Sequence, residues 1–497
     1  MKTDYSTKCK SKRKKARLFF VMWVPLFFIF GLGSCNNEGD TPTTPVPADG
    51  NKATAITSFT PDSGGIATPM IIVGDNFGTD TAKIKVYFKS GNDSIQASII
   101  HSNGSRIYLV VPKLTYLENL EVIVKVTADN QNVRVNKFTN HFKYKTQTTV
   151  TTVAGTMFPD VSVALSRGGT LSTASFSCPM FLCVDAEKNV IIVERLFDKV
   201  PPEMDVRPLR PRSESGTNMN GDFLMLNEAN NSVVFMKNAG MVINAPTVSP
   251  DGFAIYVPTD AGADYFQMLR SENYAPRQKR IKITSENSSI TNKNWKFSFV
   301  TNPENGLIYT VMYNKQLVLI DPATNLITVL CQDIGTNTGS DSYLAFNPKE
   351  SNILYVSVTN RHSIYRIDLN VDPLSIHAEP YAGAACQNLT GTDARGWADG
   401  LLADAKFNYP RQITFDEQGV MYIADCVNHC IRTIDTKINK SEATVKTLVG
   451  FPGDKGNVDG GPDIAKFNYP MGIAKAFDGT IYIADTRNYS IRKLAVQ

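Results

Sequence analysis

The chain has 497 residues, of which 42% are hydrophobic and 20% charged, with a formal net charge of +4. This length exceeds that of one ordinary domain, and the apolar content excludes a wholly disordered chain. The positive charge is confined to the start: residues 1–34 carry eight basic residues and one acidic residue, whereas the rest carries 43 basic and 46 acidic residues. Beyond residue 34 the chain therefore has no overall charge that favours nucleic acid, and no nucleic-acid partner is expected.

Residues 1–34 have the organisation of an export signal. A basic stretch ending at Arg17 is followed by an uncharged apolar run over 18–32. Its fifteen residues would rise only about 22 Å as a helix, which is less than the roughly 30 Å hydrocarbon core of a bilayer. We therefore predict a signal peptide rather than a membrane-spanning helix.

The signal ends in Leu32-Gly33-Ser34-Cys35, which resembles the bacterial lipobox. The resemblance implies that Cys35 is lipidated and holds the protein on a membrane, because two or three acyl chains anchor stably where one does not. A plain secretory signal with a chance cysteine is the alternative. The Pro- and Thr-rich sequence that follows has no apolar period, so a flexible tether is predicted over 35–52.

Two acidic residues, Glu38 and Asp40, follow Cys35 closely. This arrangement is similar to the export tag of surface lipoproteins in the Bacteroidetes. It implies lipid anchoring in the outer membrane with the protein on the cell surface. A lipoprotein that faces the periplasm is the alternative, since such proteins share most of the pattern.

Residues 53–146 alternate short β-rich runs with turns and show no helical periodicity. About seven strands in some 90 residues predict an all-β sandwich. The resemblance is to the opening of immunoglobulin-like IPT/TIG domains. We interpret this domain as a spacer that lifts the following domain away from the membrane, with a ligand site in it as the alternative. The residues that carry the resemblance are Ile56, Pro61, Gly65, Ile72, Gly74 and Phe77.

Internal repeats dominate residues 147–497. Ala-Lys-Phe-Asn-Tyr-Pro occurs at 405–410 and 465–470, and Tyr-Ile-Ala-Asp at 422–425 and 482–485, so both share an offset of 60. Together with the Ile-Arg pair that follows each copy, this pattern resembles the NHL repeat, which implies four-stranded blades of a β-propeller. The predicted fold class is all-β: an immunoglobulin-like (IPT/TIG) β-sandwich followed by a six-bladed NHL β-propeller. Blades start near residues 179, 246, 299, 345, 410 and 470, and seven blades are the alternative because 195–236 is ambiguous.

The two ends of the repeat region complement each other. The last repeat stops after its third strand, at 491–496, and the missing strand is present at 150–155. We therefore predict one blade built from both ends, which closes the ring and removes its open edges.

Candidate ligand-binding residues follow from the propeller geometry. The turns between second and third strands share a face with the long connections between blades, and loops on a rigid scaffold commonly carry binding. Trp397 suits stacking against a sugar ring, although an apolar plug of its own loop is the alternative, since Val458 stands at the equivalent position. The aspartates of the Tyr-Ile-Ala-Asp sequences have turn capping as their alternative role. The candidates are Trp397, Arg411, Arg195, Asp425, Arg487 and Asp485.

Signals for catalysis and metal binding are weak. A propeller lyase or hydrolase needs a central cluster of histidines and carboxylates, and the region holds only His362, His377 and His429. We name no catalytic residue, no metal ligand and no cofactor, while calcium held by carboxylates or carbonyls in the channel stays open. Cys426 and Cys430 flank one hairpin turn, which predicts a local disulfide, with zinc held by both and His429 as the alternative.

The order of lipid anchor, tether, spacer and propeller is similar to lipoproteins found beside polysaccharide-uptake systems in gut Bacteroidetes. This resemblance implies capture of an extracellular ligand, a glycan, with an outer-membrane transport complex as partner. The first alternative is a protein–protein interaction scaffold that uses the same face. The second is a metal-dependent lyase or hydrolase that uses the propeller channel. The weak catalytic signals favour a binding protein over an enzyme.

Overall fold

A computed structural model describes residues 44–65, 68–91, 93–112, 114, 120–145, 148–155, 166–195, 221–261, 263–284, 290, 295–335 and 341–496. The predicted signal peptide, the predicted lipidation site Cys35 and the first part of the predicted tether lie outside these residues. Among the residues that are described, no helix is both long enough and apolar enough to cross a membrane.

Two sheets form the first domain, with strand orders β1-β3-β7-β6 and β2-β9-β8-β4-β5. The apolar residues alternate along the strands, as in Leu120, Val122, Val124 and Val126, which are all buried. This period of two places one face of each sheet in a shared core, and the predicted β-sandwich is confirmed. Its strands, as far as the domain is described, are β1 (Ala55–Thr60), β2 (Ser63–Gly64), β3 (Pro69–Asp75), β4 (Ile84–Ser90), β5 (Asp93–Gln96), β6 (Ser98–Ser102), β7 (Arg106–Val110), β8 (Leu120–Thr127) and β9 (Val133–Tyr144).

The sandwich begins earlier in the chain than the composition indicates. Ala48 is 1% exposed, lies in the sandwich core and forms a β-bridge with Ala128. The carbonyl of Val46 accepts a hydrogen bond from the backbone N–H of Thr79. The prediction of a flexible tether is therefore wrong for residues 46–52, because their backbone and one small apolar side chain find partners that are distant in sequence.

Antiparallel sheets make up the second domain, and the described residues form six of them. Sheet 1 is β11-β12-β13-β14, sheet 2 β15-β16-β17-β18, sheet 3 β19-β20-β21-β22, sheet 4 β23-β24-β25-β26, sheet 5 β27-β31-β30-β29-β28 and sheet 6 β10-β34-β33-β32. The innermost strands β11, β15, β19, β23, β28 and β32 each contact the innermost strands of both neighbouring sheets. The sheets therefore surround a central axis as a closed propeller.

The propeller strands are β10 (Thr148–Ala154), β11 (Pro179–Val184), β12 (Val190–Arg195), β13 (Gly221–Asn227), β14 (Ser232–Asn238), β15 (Thr247–Val248), β16 (Ala254–Pro258), β17 (Asp264–Leu269), β18 (Arg277–Arg280), β19 (Val300–Thr301), β20 (Ile308–Val311), β21 (Leu317–Ile320), β22 (Ile327–Cys331), β23 (Ser342–Asn347), β24 (Glu350–Val358), β25 (Ser363–Asp368), β26 (Glu379–Gly383), β27 (Gly400–Leu401), β28 (Pro410–Phe415), β29 (Val420–Asp425), β30 (Cys430–Asp435), β31 (Thr444–Val449), β32 (Pro470–Lys475), β33 (Ile481–Asp485) and β34 (Ser490–Val496). Short 3-10 helices in the described residues are Thr81–Lys83, Arg270–Glu272, Thr359–Arg361, Pro373–Ser375, Ala384–Gln387, Gly391–Ala394, Cys426–Asn428 and Thr486–Asn488.

Sheet 6 joins the two ends of the propeller. Strand β10 pairs antiparallel with β34, so that Val150 lies opposite Leu494 and Thr148 opposite Val496. Val150 and Leu494 are fully buried in one core cluster. The prediction that 150–155 supplies the strand missing from the last repeat is confirmed.

The turns between second and third strands are built alike in sheets 4, 5 and 6. Each is a single 3-10 turn followed by a left-handed residue: His362, His429 or Tyr489, with φ of 50°, 58° and 52°. The Nδ1 atoms of His362 and His429 each accept a hydrogen bond, 3.1 Å long, from the backbone N–H of Tyr409 and Tyr469 respectively. The two histidines therefore connect one sheet to the next, and burial lowers the pKa of His429 to about 4.

Candidate functional site

The loop-bearing face of the propeller is the side that holds the β16–β17, β20–β21, β24–β25, β29–β30 and β33–β34 turns, together with the connections that lead into the innermost strands. Antiparallel order dictates this arrangement, because each innermost strand begins where the second strand of its sheet ends. Pro410, at the start of β28, lies opposite Asp425 at the end of β29, and Pro470 lies opposite Asp485 in the same way. The repeat thus brings its equivalent residues to the same face.

Arg411 lies at the centre of this face and is only 2% exposed. Its Nη1 donates hydrogen bonds to Asp341 Oδ2 (2.8 Å) and to the hydroxyl of Tyr343 (2.9 Å). The Tyr343 ring packs in turn against Phe181, with 5.2 Å between ring centroids. The structure therefore corrects the assignment of Arg411 as a ligand contact: its guanidinium helps to close the loop-bearing end of the central axis.

A second polar network joins sheets 1, 2 and 3 at this face. Arg195 Nη1 donates to Asn244 Oδ1 (2.7 Å), and its Nη2 lies 3.4 Å from Asp260 Oδ2. Asn244 Nδ2 donates to Asp260 Oδ1 (2.7 Å) and to the carbonyl of Lys296 (2.8 Å). We name these four residues the Asn244 network. Burial lowers the pKa of Lys296 to about 7, and the Arg195 side chain keeps 15% of its surface exposed.

Asp425 and Asp485 are both 0% exposed, and each forms an ion pair with a fully buried arginine. Asp425 Oδ2 accepts from Arg432 Nη1 (2.8 Å), and Asp485 Oδ2 accepts from Arg492 Nη1 (2.7 Å). The second oxygen of each carboxylate accepts a hydrogen bond from the asparagine of the repeated Ala-Lys-Phe-Asn sequence: the backbone N–H of Asn408 donates to Asp425, and that of Asn468 donates to Asp485. The assignment of both aspartates as ligand contacts is thereby corrected, because their oxygens hold the turn and the entry of the innermost strand together.

Sheet 1 has a different residue at this repeat position. Glu194 lies opposite Pro179, as Asp425 lies opposite Pro410, but Leu224 stands where the repeat places Arg432. Burial raises the pKa of Glu194 to about 7, against the effect of hydrogen bonds from Ser166 and Ser177, and the charge of Asp222 raises it further. Within the described part of sheet 1, no arginine stands at the register position that pairs with this carboxylate in sheets 5 and 6, and the repeat register could have revealed this from the sequence.

We expect Glu194→Gln to stabilise the protein at pH 8 by roughly 3 kcal/mol, the free energy that a pKa raised from 4.5 to about 7 represents. When folding raises the pKa of a carboxyl group, the protein loses stability as the pH rises from the pKa of that group in the unfolded state to its pKa in the folded state. Glutamine does not ionise, and its amide matches the observed partners, since Oε1 accepts from the backbone N–H groups of Ser177 and Cys178. Urea unfolding at pH 5 and pH 8 measures the difference, which should be small at pH 5.

The matched control is Glu442→Gln, because Glu442 is exposed. It should change the free energy of unfolding equally at both pH values. A Glu194→Gln variant that is as stable as the starting protein at pH 8, or less stable, would show that ionised Glu194 does not lower the free energy of unfolding.

Two large aromatic side chains are exposed together on the loop-bearing face. Trp295 and Tyr313 are 42% and 41% exposed, and their ring centroids are 5.0 Å apart. The backbone N–H of Tyr313 donates to the carbonyl of Trp295 (2.8 Å), and the buried Phe297 packs against Tyr313. We name Trp295 and Tyr313 the aromatic platform. It adjoins the Asn244 network through the next residue, Lys296.

Amide side chains lie in the same turn as Tyr313. Asn314 Nδ2 donates to Gln316 Oε1 (2.7 Å), and Gln316 Nε2 donates to Gln332 Oε1 (2.6 Å). Lys315 in this turn forms an ion pair with Asp333. Both donors and acceptors are therefore fixed beside the aromatic platform.

Trp397 is 50% exposed but lies away from the central mouth. Its Nε1 donates to Thr447 Oγ1 (3.0 Å), and Thr447 belongs to β31, two strands away from β29 in sheet 5. Arg487 lies in the β33–β34 turn. The charges of Arg487 and Arg195 both act to lower the pKa of the buried Cys178 thiol, which burial raises, so both arginines lie near this thiol. The structure thus brings Arg195, Arg411 and Arg487 to the centre and leaves Trp397 near the outer edge.

Cys426 and Cys430 are free cysteines, so the predicted disulfide is wrong. Cys426 begins the 3-10 turn and packs towards Arg411, whereas Cys430 lies in β30 and packs against Gly450. Burial raises the pKa of both thiols. Within the described residues, no group of three or more His, Cys, Asp and Glu side chains is arranged to hold a metal ion.

Comparisons with known domain families agree with both halves of the fold. Residues 54–146 match the IPT/TIG domain, and residues 291–458 match the teneurin NHL domain. The chain is 30% identical to human teneurin-1 over 175 residues, which are 33% of this chain and 6% of that protein. It is 33% identical to human NHL repeat-containing protein 2 over 107 residues, 21% of this chain and 14% of that protein. The chain therefore spans only a small part of the length of these relatives.

Solved structures from Bacteroides share the whole architecture. A structural genomics protein from Bacteroides thetaiotaomicron is 23% identical and has a TM-score of 0.62, with 91% of this chain and 100% of that chain covered. An auxiliary nutrient binding protein from Bacteroides ovatus is 21% identical with a TM-score of 0.59, again with 91% and 100% covered. A protein of the same description from Bacteroides thetaiotaomicron is 21% identical with a TM-score of 0.55, with 90% and 99% covered. At these identities the likeness establishes the fold, and the predicted all-β class is confirmed.

Proposed function

We propose that this chain, which joins an IPT/TIG domain to an NHL-type β-propeller, captures a glycan at the loop-bearing face of the propeller. The observation that carries the proposal is the aromatic platform of Trp295 and Tyr313. The IPT/TIG domain serves as the spacer between this face and a lipid anchor at Cys35. The protein acts at the outer membrane, on the cell surface, together with a transport complex that takes up the captured glycan.

The platform favours a sugar because of its shape and exposure. Large aromatic side chains dominate binding energetics, and an adjacent exposed pair is an unusual feature of a surface without a partner. Trp295 and Tyr313 offer ring surface: Phe297 packs against Tyr313, and a backbone hydrogen bond joins Tyr313 to Trp295. A planar aromatic ring stacks against the C–H face of a pyranose, which leaves the sugar hydroxyls at its edge.

The polar groups near the platform suit those hydroxyls. A hydroxyl both donates and accepts, and amide side chains provide both functions without charge. Asn314, in the turn that carries Tyr313, provides an exposed amide, and Gln332 provides a second one at the other end of the hydrogen-bonded chain through the buried Gln316. Two cations of this face are matched by opposite charges, Arg411 by Asp341 and Lys315 by Asp333. These features favour a neutral glycan over a polyanionic one.

The structural neighbours support a role in nutrient capture. Two of them, from Bacteroides ovatus and Bacteroides thetaiotaomicron, are described as auxiliary nutrient binding proteins. Each covers at least 90% of this chain, so the common architecture includes both the spacer and the propeller. The nutrient is not named for either neighbour, and the choice of a glycan here depends on the aromatic platform.

Affinity electrophoresis tests the proposal with residues 36–497 in gels that contain soluble plant and host polysaccharides. We expect at least one polysaccharide to retard the protein. Trp295→Ala and Tyr313→Ala should each weaken retardation at least tenfold, a loss of about 1.4 kcal/mol. Trp397→Ala is the matched control, because Trp397 is at least as exposed as Trp295 but lies near the outer edge of sheet 5.

Two results would contradict the proposal. One is retardation by no polysaccharide in a panel that spans neutral and charged glycans. The other is retardation that Trp397→Ala abolishes and Trp295→Ala leaves intact, which would move the site to the outer edge of sheet 5. Capture of a protein by the platform, lost in Trp295→Ala, would instead indicate the interaction scaffold.

A further inference from the structure

A cavity follows the propeller axis on the side away from the aromatic platform. It has a volume of about 320 Å³ and is lined by residues from all six innermost strands. Its lining continues to the turns between first and second strands, which include Pro303, Asp416 and Phe477. The cavity therefore opens at the face opposite the loops, and we name it the axial cavity.

Side chains close the axial cavity towards the loop-bearing face. Gln412 lies across the axis: its Oε1 accepts from the backbone N–H of Leu182 (3.1 Å) and of Ile473 (3.2 Å), and its Nε2 donates to the Leu182 carbonyl (2.7 Å). The packed rings of Phe181 and Tyr343 lie next to it. The cavity is thus separated from the glycan site proposed above.

The lining of the axial cavity is largely apolar. Phe299, Phe346 and Phe415 come from three different sheets. Polar side chains in the lining bond to protein partners, since Ser298 Oγ donates to the Ser342 carbonyl (2.9 Å) and Thr247 Oγ1 bonds to Thr301 Oγ1 (3.3 Å). A ligand would therefore gain mainly from burial of apolar surface.

The mouth of the axial cavity carries an exposed aromatic residue. Phe477, in the turn after β32, is 56% exposed and belongs to the lining. Beside it, Lys475 forms an ion pair with Glu417, so these two rim charges compensate each other. The exposed ring of Phe477 thus extends the apolar surface of the cavity to its entrance.

We propose that the axial cavity binds a small, uncharged, predominantly apolar molecule that enters from the face opposite the loops. Its volume equals that of roughly ten water molecules at about 30 Å³ each, which is at the lower end of the range for small-molecule sites. Two or three fused or linked rings match this size. The site goes beyond the proposed glycan capture, because it lies on the other side of Gln412.

Fluorescence titration with N-phenyl-1-naphthylamine, a neutral apolar probe, tests the proposal on residues 36–497. We expect saturable enhancement of the probe emission. Val300→Trp should weaken binding at least tenfold, because Val300 is half-buried in the lining and indole would fill the space. Val234→Trp is the matched control: Val234 is 46% exposed on β14, the outermost strand of sheet 1, and should leave probe binding within twofold.

A second variant keeps the test decisive if Val300→Trp does not fold. Phe477→Ala removes an exposed rim residue without disturbing the core, and it should weaken probe binding several-fold. Absence of saturable binding to the starting protein would overturn the proposal, as would equal binding to Phe477→Ala and to folded Val300→Trp. Probe binding lost in Trp295→Ala would overturn it too, by placing the probe on the aromatic platform. Polysaccharide retardation should be unchanged in Phe477→Ala, which separates this proposal from the glycan site.

Discussion

Removal of residues 490–497 is expected to abolish cooperative unfolding of the propeller. These residues include β34, which lies between β10 and β33 in sheet 6, so that its loss detaches β10 from the sheet and leaves β33 paired only with β32. Ile491 and Leu494 are fully buried. Losing two buried aliphatic side chains costs about 4–10 kcal/mol, comparable to the 5–15 kcal/mol of net stability of a folded domain.

Calorimetry and limited proteolysis measure this effect on residues 36–489 and 36–497. The truncated chain should lose the propeller transition and become sensitive to protease throughout the repeats. The matched control is removal of residues 495–497 alone, which leaves Leu494 in place and should shift the transition only slightly. A full propeller transition in the chain that ends at residue 489 would contradict closure by the paired ends.

The second large effect on stability is expected from breaking the buried ion pair between Arg432 and Asp425 in sheet 5. Arg432→Met should destabilise the propeller by about 3–5 kcal/mol, because it leaves the fully buried carboxylate of Asp425 without its counter-ion. Arg432 also donates to the carbonyls of Lys406 and Ala398, which would lose these hydrogen bonds. Burial already raises the pKa of Asp425, so the loss of stability should shrink as pH falls and the carboxyl takes up a proton.

Urea unfolding at pH 7.5 and pH 5 measures the loss of stability in Arg432→Met. Arg366→Met is the matched control, because Arg366 lies on the third strand of sheet 4 and its 3.8 Å ion pair with Asp368 is partly exposed. Exposed pairs of this kind contribute less than about 1 kcal/mol. Equal losses in the two variants would contradict a special role for the buried pair.

Much of the propeller could be predicted from the repeat. The offset of 60 residues places Pro410 opposite Asp425 and Pro470 opposite Asp485, and both pairings are present. The shared sheet was also predictable, because a last repeat with three strands needs a fourth and 150–155 has the matching pattern. These inferences depend on local patterns of apolar residues and turns. A repeat presents each pattern more than once, which makes the pattern easier to recognise.

The roles of the polar residues could not be predicted in the same way. Arg411 looks like a candidate for binding, but its partner Asp341 is 70 residues away in sequence and comes from the preceding sheet. Burial of a charged side chain depends on such distant partners, which no local pattern reveals. Arg195, by contrast, keeps part of its surface exposed, as a residue near a ligand site requires.

The choice between the two tryptophans shows the same limit. Trp397 stands in a long connection with carboxylates nearby, which favoured it as the stacking residue. The structure pairs the other tryptophan, Trp295, with Tyr313, because Lys296 and Met312 form a bridge that brings the two rings together. Only the pairing of innermost and second strands reveals this aromatic platform.

Tryptophan emission of a single-tryptophan variant tests the central claim most directly. In residues 36–497 with Trp397→Phe, Trp295 is the sole tryptophan, so any change in emission on titration with the retarding polysaccharide comes from the platform. We predict a saturable change in emission whose midpoint matches the affinity measured by gel retardation and disappears in Tyr313→Ala. Retardation by the polysaccharide with no change in Trp295 emission at saturation would contradict glycan binding at this face.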